Sequence, residues 1–347
     1  YYIDLAALGT VCDIMPLVDE NRTVVSVGIK RMKNTLHTGL SELAKVGGKD
    51  IKNIKSQDLG FVLGPRLNAA GRLEDATDGV RLLSTNNTKT AKKYSNRLNV
   101  LNNKRKKLTL TYQKEAISQI KETDLINIAF GKEWPEGILG LIAGKITQST
   151  HKPTLIATKT KDGVYKGSAR SIPGFNITST LQQLEDLLIK FGGHAEAAGF
   201  TIKKGKNNAF KTRLFELTEN NKILQNAVPE INIEYLATPS ELTVEAIEQL
   251  SILEPFGHKN EEPLIGIRDT QLLSVSKVGK TNKHLKLVVG DYSNSIEAIW
   301  FNYPIEVDDS LIPNSKISIA GRPSINEWNG NKKVNIIVSD IKVGESL

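Results

Sequence analysis

The chain has 347 residues, of which 39% are hydrophobic and 24% charged, and carries a formal net charge of +8, a balance that fits two or three soluble globular domains. No apolar run approaches the roughly 18 to 20 residues of a membrane span, and no signal-peptide layout opens the chain, so a cytoplasmic protein is expected. A single cysteine, Cys12, excludes an internal disulfide and a cysteine-built zinc site.

The opening stretch "YYIDLAALGTVCDIMPL" starts at Tyr1 without a methionine and reads as the end of an α/β unit, in a fragment whose N-terminus is missing. "VVSVGIKRMKNTL" follows as a helix. From Ser56 to Leu83 shorter helical pieces are expected, interrupted by "LGPRLNAAGRLEDA". Between Lys89 and Glu122 ten lysines and arginines face two glutamates, so this segment carries the whole excess of positive charge. Tyr94, Leu98, Leu101, Leu108 and Tyr112 recur there by threes and fours, with Arg105 in the missing place of the seam. The spacing predicts a long helix whose basic outer face is either solvated or a stripe that holds a phosphate backbone.

After this helix the periods change. "LINIAF", "PTLIAT" and "GVYKGSAR" read as strands, "GILGLIAGKITQS" and "TSTLQQLEDLLIKF" as helices, and "NNAFKTRLFELTENNKIL" as a helix at the edge. Together they predict a compact α/β domain. Trp134 in "WPEG" stands before a helix start where Gly137 could offer backbone amides to an anion. Beyond Pro229 come the short strands "INIEYLA", "LIGIRDTQLLSVS", "HLKLVVG", "SIEAIWF", "KISIAG" and "VNIIVSDI", with one helix, "SELTVEAIEQLS". That count fits a small barrel of the OB type. Lys277, Lys280, Lys283 and Lys286 fall near Tyr292, Trp300, Phe301 and Tyr303, a pairing suited to tracking a single strand and stacking its bases; at least one of Trp300 and Phe301 belongs to the core.

Three stretches carry candidate chemistry. In "FGGHAEAAGF" the glycines either end a helix, with His194 hydrogen-bonded in place, or let the backbone approach a phosphate while His194 donates to it. In "GSARS", Ser168 and Arg170 alternate onto one strand face and could hold one anion, or form an ordinary surface strand. Arg66, Asn68 and Arg72 in "GPRLNAAGR" either bind phosphate or keep two lobes in register. His37, His151, His258 and His284 fit no metal-ligand spacing.

Taken in order, "DLAALGTVCDIMPLVDENR", "GPRLNAAGRLEDA", "GILGLIAGKI", "KGSARSIPGFNI", "FGGHAEAAGF" and "LEPFGHKNEEP" resemble the RecJ family of DHH/DHHA1 phosphoesterases, single-strand-specific 5′-to-3′ DNA exonucleases. The resemblance implies the end of a DHH catalytic domain over residues 1–20, a helical connector with the long basic helix over 21–123, a DHHA1 domain over 124–228 and an OB-fold barrel over 229–347. It implies hydrolysis of phosphodiester bonds in DNA repair and recombination by water activated at a two-ion Mn²⁺ or Mg²⁺ site. Asp13, in GTV-x-D, is then a metal ligand, and the family's other metal-binding motifs do not occur in the chain. His194 is implied to stabilise substrate or transition state. Gly192 and Gly193 are implied to lie close to the scissile phosphate, and Ser168 and Arg170 to contact the backbone near the 5′ end. Where some relatives carry a histidine after the tryptophan this chain has Pro135. The implied partner is single-stranded DNA, with single-strand-binding protein as a further candidate, no membrane, and a monomeric state. Other readings are a non-catalytic single-strand-binding module, or an oligoribonuclease or cyclic-dinucleotide phosphodiesterase, which generally lack the barrel. Alanyl-tRNA editing proteins are set aside for want of their zinc ligands.

Overall fold

The computed structural model describes residues 2–291, 293–304, 307 and 310–344, and of Trp328 only the backbone. Tyr292 lies outside them. The chain divides into two compact units, Ile29–Pro229 and a second in which Tyr2–Gly28 joins Glu230 onward. The first helices are α1 (Ile3–Cys12) and α2 (Asp19–Met32). Residues 2–28, which include the stretch expected as the end of a DHH domain, therefore pack with the C-terminal unit. The Leu17 N–H donates to the His258 carbonyl at 2.7 Å, and the Arg22 guanidinium donates to the carbonyl of Leu253 at 3.0 Å.

The Ile29–Pro229 unit begins with α3 (Thr38–Val46), α4 (Ser56–Asp58), α5 (Gly64–Leu73), α6 (Thr77–Ser84) and the 30-residue α7 (Thr88–Ile117). "GPRLNAAGRL", expected as an interruption, is itself helix. Residues 59–63 form a π-helical stretch between α4 and α5, and Pro65 sits in the first turn of α5, where a missing N–H is tolerated. Helix α7 follows the predicted seam. Asn87 caps it by accepting from the N–H groups of Lys89 and Thr90, and Ala91, Ser95, Leu98, Leu101, Asn102, Thr109 and Ala116 are buried.

Then come β1 (Asn127–Lys132), α8 (Leu139–Thr150), β2 (Thr154–Lys159), β3 (Tyr165–Arg170), α9 (Ile177–Gln182), β4 (Leu188–Gly193), β5 (Ala197–Ile202), α10 (Asn207–Thr218) and α11 (Lys222–Gln225). The sheet runs β1-β2-β3-β5-β4, with β1 and β2 parallel and the rest antiparallel. The helix predicted over "TSTLQQLEDLLIKF" stops at Gln182. A 3₁₀ turn at Glu185–Leu187 leads into β4, whose residues pair along β5. Glycine at 192 and 193 favours this outcome, since glycine weakens a helix interior and here permits a tight return. Ile128, Leu155, Ala157, Ala169, Ala198, Phe200 and Ile202 bury one sheet face against α9 and α10. Phe200 and Phe210 stack there with centroids 5.7 Å apart. On the other face α8 covers Ala129 and Ile156 through Leu139, Ile142, Ala143 and Ile146. At rough transfer values each of the leucines, isoleucines and phenylalanines among them contributes about 1.5–3 kcal/mol.

The second unit is a closed barrel. Its elements are β6 (Tyr235–Leu236), α12 (Val244–Gln249), β7 (Ile265–Val278), β8 (His284–Gly290), β9 (Ser295–Phe301), β10 (Lys316–Trp328) and β11 (Asn331–Val343). The order β10-β11-β9-β8-β7 closes through pairing of β10 with β7, as an OB fold requires. The strand expected over "INIEYLA" shrinks to the two residues of β6. "KISIAG" and "VNIIVSDI" lengthen into arms of 13 residues each.

Candidate nucleic-acid interface

Alternation along β3 places Lys166, Ser168 and Arg170 on the sheet face that α8 covers only in part. Register extends that face across the neighbouring strands. Ser168 stands opposite Gly199, which stands opposite Gly192; Lys166 stands opposite Thr201, which stands opposite Lys190. A cleft of about 490 Å³ lies over this surface, lined by these six residues and, on the helix side, by Glu136 and Leu139. Its floor is a row of two glycines and a serine, so backbone itself faces the cleft. A salt bridge of 3.2 Å joins Lys166 to Glu136 at the rim.

Arg170 ends the row. Its Nη1 donates to Ser168 Oγ at 3.2 Å and to the Ala169 carbonyl at 2.8 Å. Helix α8 starts directly above. A Cβ at Gly140 would lie 2.8 Å from Arg170 Nη2 and 3.1 Å from Ser168 Oγ, so glycine there is what admits the guanidinium beside the helix start. Arg72 lies close enough to Arg170 and to Arg105 for its charge to act on each. Burial lowers the pKa of all three guanidiniums, and the charge of Arg72 lowers those of Arg105 and Arg170 further. None of the three has a carboxylate partner among the described residues. Arg105 is steadied by Asn102, whose Oδ1 accepts at 2.9 Å, while Arg105 Nε, Asn102 Nδ2 and Thr109 Oγ1 are buried without a partner. Three cations coupled through Arg72, with no carboxylate among the described residues to offset them, make a place for an anion.

The remaining residues singled out from the sequence fall into three groups. Gly192 and Gly193 form the end of β4, with Gly193 at φ 153° packed against the Ala197 carbonyl. The reading of "GGH" as a helix C-terminus is thereby overturned. His194 follows in the exposed return to β5. Its N–H donates to Ala197 at 2.8 Å and its carbonyl accepts from Thr178 at 2.7 Å, leaving the imidazole without a hydrogen bond among the described residues.

The second group is architectural. Arg66 donates to Asn99 and to the Val62 carbonyl at 3.0 and 2.8 Å, and Asn68 is exposed on α5. Arg72 donates to the Gly137 carbonyl at 3.0 Å, and Gly137 abuts the Arg72 backbone too closely for any Cβ. Gly137 is thus a close packing contact with α5. Trp134 is buried at 2% exposure, its indole N–H held by Glu115 at 3.2 Å.

The third group lies in the barrel unit. Trp300 and Tyr303 are each 6% exposed and belong to the barrel core, which withdraws them as stacking candidates; Phe301 is half exposed, edge-on to His284 at 5.2 Å. Asp13 closes α1, its N–H donating to Gly9 at 2.9 Å, with its carboxylate exposed. Among the described residues no three or more His, Cys, Asp or Glu gather to hold a metal. Asp13 is therefore a single carboxylate, fewer ligands than the two-ion site that the resemblance implies would need.

Sequence reasoning missed Arg105, Lys166, Lys190, Thr201 and Gly140. Arg105 had announced itself as the one cation in an apolar seam; the others needed the β3-β5-β4 register.

Residues 118–220 match the model of the DHHA1 domain, and residues 233–340 match that of the RecJ OB domain. The single-stranded-DNA-specific exonuclease RecJ of Bacillus subtilis is 35% identical over 99% of the chain. The chain is a homologue of RecJ. The RecJ of Escherichia coli is 34% identical over 98% of it. The chain spans 44% of the Bacillus RecJ and 60% of the Escherichia one. Crystal structures of RecJ from Thermus thermophilus, with Mn²⁺ and with Mg²⁺, superpose with TM-scores of 0.87 and 0.85 at 28% identity. The Mn²⁺ structure is covered to 50% by all of this chain.

Proposed function

We propose that this chain is the strand-holding part of a RecJ-type exonuclease that releases nucleotides from the 5′ end of single-stranded DNA. One observation carries the reading. Arg170, bonded to Ser168 next to a cleft floored by backbone, and Arg105 each feel the charge of Arg72, and none of the three has a carboxylate partner among the described residues. A phosphate there would relieve the repulsion between Arg72 and its two neighbouring guanidiniums. The glycine floor lets the sugar-phosphate chain lie against the sheet without reading its bases. His194, with a free imidazole at the adjoining turn, is assigned to donate to a non-bridging phosphate oxygen. That RecJ relatives were crystallised with Mn²⁺ and Mg²⁺ supports a divalent metal for hydrolysis, with Asp13 as this chain's carboxylate towards it.

The test is fluorescence anisotropy of this chain with labelled strands that differ only in a 5′-phosphate or 5′-hydroxyl, and with the matching duplex. Tighter binding of the phosphorylated single strand, weakening steeply with salt, is expected. Equal affinity for all three would reject the reading. A Mn²⁺-dependent nucleotide-release assay beside it separates holding from cutting.

A further inference from the structure

The basic residues of α7 divide by direction. Its arginines are committed: Arg97 bridges Glu74 and Asp78 at 3.0 and 2.8 Å, and Arg105 joins the half-buried guanidiniums. Its lysines make no ion pair among the described residues, and Lys93 alone of them lies over an aromatic ring, that of Tyr94, at 5.8 Å. At about 100° per residue, Lys89, Lys93, Lys104, Lys107 and Lys114 fall opposite the buried Leu98, Asn102 and Thr109, and all five are exposed. Asn96, Val100, Asn103 and Thr111 fill the places between them. Glu115, the single carboxylate of the helix, is taken by the indole of Trp134. None of the five lysines has an ion-pair partner among the described residues.

A face that merely meets water interleaves signs, so that residues three and four apart attract. Here Lys89 with Lys93, and Lys104 with Lys107, are like-charged neighbours that work against the helix. The stripe extends about 38 Å at about 1.5 Å per residue. We infer that the outer face of α7 is a second track for a nucleic-acid phosphate backbone, apart from the glycine-floored cleft. Charge complementarity selects this occupant. Mobile point charges without aromatic or planar donors grip phosphates irrespective of sequence. The track stands whether or not the cleft takes a 5′ end.

The test replaces Lys93, Lys104, Lys107 and Lys114 together by glutamine, a change that keeps helix propensity. Circular dichroism checks folding, and a matching quadruple Lys→Arg variant keeps the charge. Binding is measured against salt for single strands of about 6 and about 30 nucleotides, the shorter near the site size of one binding domain, and for a duplex. For the longer strand the glutamine variant should lose about tenfold or more in affinity, and its salt slope should fall by up to about 2.8, at about 0.7 per phosphate. The short strand should bind unchanged and the arginine variant should behave as the parent. Loss confined to the duplex assigns the track to double-stranded rather than single-stranded backbone. An unchanged slope for the long strand and the duplex overturns the inference, as does equal loss for short and long strands, which would place the effect in the cleft.

Discussion

Arg170 Nη1 donates to Ser168 Oγ across 3.2 Å because the two residues are one step of alternation apart on β3 and share its open face. Hydroxyl and guanidinium are thereby held as one anion-binding pair. Arg170→Ala should weaken binding of a 5′-phosphorylated strand by about 10- to 100-fold, in the range of a hydrogen bond to a charged group. The salt slope should fall by about 0.7. Because the neighbouring Arg72 repels this guanidinium, thermal stability should hold or rise. Calorimetry and anisotropy on one preparation give both readouts, and parallel loss of stability and binding would show a structural role instead.

Gly140→Ala approaches the same pair from the helix. The added methyl would meet Arg170 Nη2 at 2.8 Å and push the guanidinium out of place. Alanine also favours the helix by about 1 kcal/mol over glycine. Stability should change little while binding drops nearly as far as in Arg170→Ala. The double variant should be no worse than either single one, a non-additivity that a double-mutant cycle measures.

Arg105→Leu restores the apolar residue that the α7 seam calls for. It removes the buried, unpartnered Nε and one of the three cations coupled through Arg72. Denaturant titration should show a net change within about 1 kcal/mol, because the relief of the buried Nε is offset by the loss of the bond to Asn102 Oδ1. Strand binding should weaken and lose salt dependence. Retained affinity would remove Arg105 from the interface.

Neighbours in β9 should behave oppositely. Trp300→Ala empties part of the barrel core and should cost about 3–5 kcal/mol. Phe301→Ala should leave stability within about 0.5 kcal/mol and reduce single-strand affinity, a stacked base being worth about 1–3 kcal/mol. If Phe301→Ala binds as the parent does, the exposed ring plays no part in the contact.

Much of this architecture was legible where a period ran unbroken. The seam of α7, the strands β1, β2 and β3 and helix α8 all follow from spacing. β4 escaped because "LLIKF" satisfies a helical and a strand pattern equally, and the deciding pairing with β5 comes from residues further along the chain. "GPRLNAAGRL" looked like a break because proline and glycine punctuate most sequences. Here the π-helical stretch before it resets the turn, so Pro65 opens a helix. In the candidate site Ser168, Arg170 and His194 could be named from their motifs. The approach of Arg72 to both Arg105 and Arg170 depends on helix packing that no local spacing encodes. Likewise "IWFNY" offers three aromatics, and the closing of the barrel decides that Trp300 and Tyr303 turn inward.

The row Ser168–Gly199–Gly192 limits how this surface could evolve. Bulk added at either glycine would stand up into the cleft, so selectivity between bases cannot be introduced there without blocking the path. A floor of two glycines and one small hydroxyl keeps the cleft indifferent to the message that a strand carries, and any preference must be built at the rim.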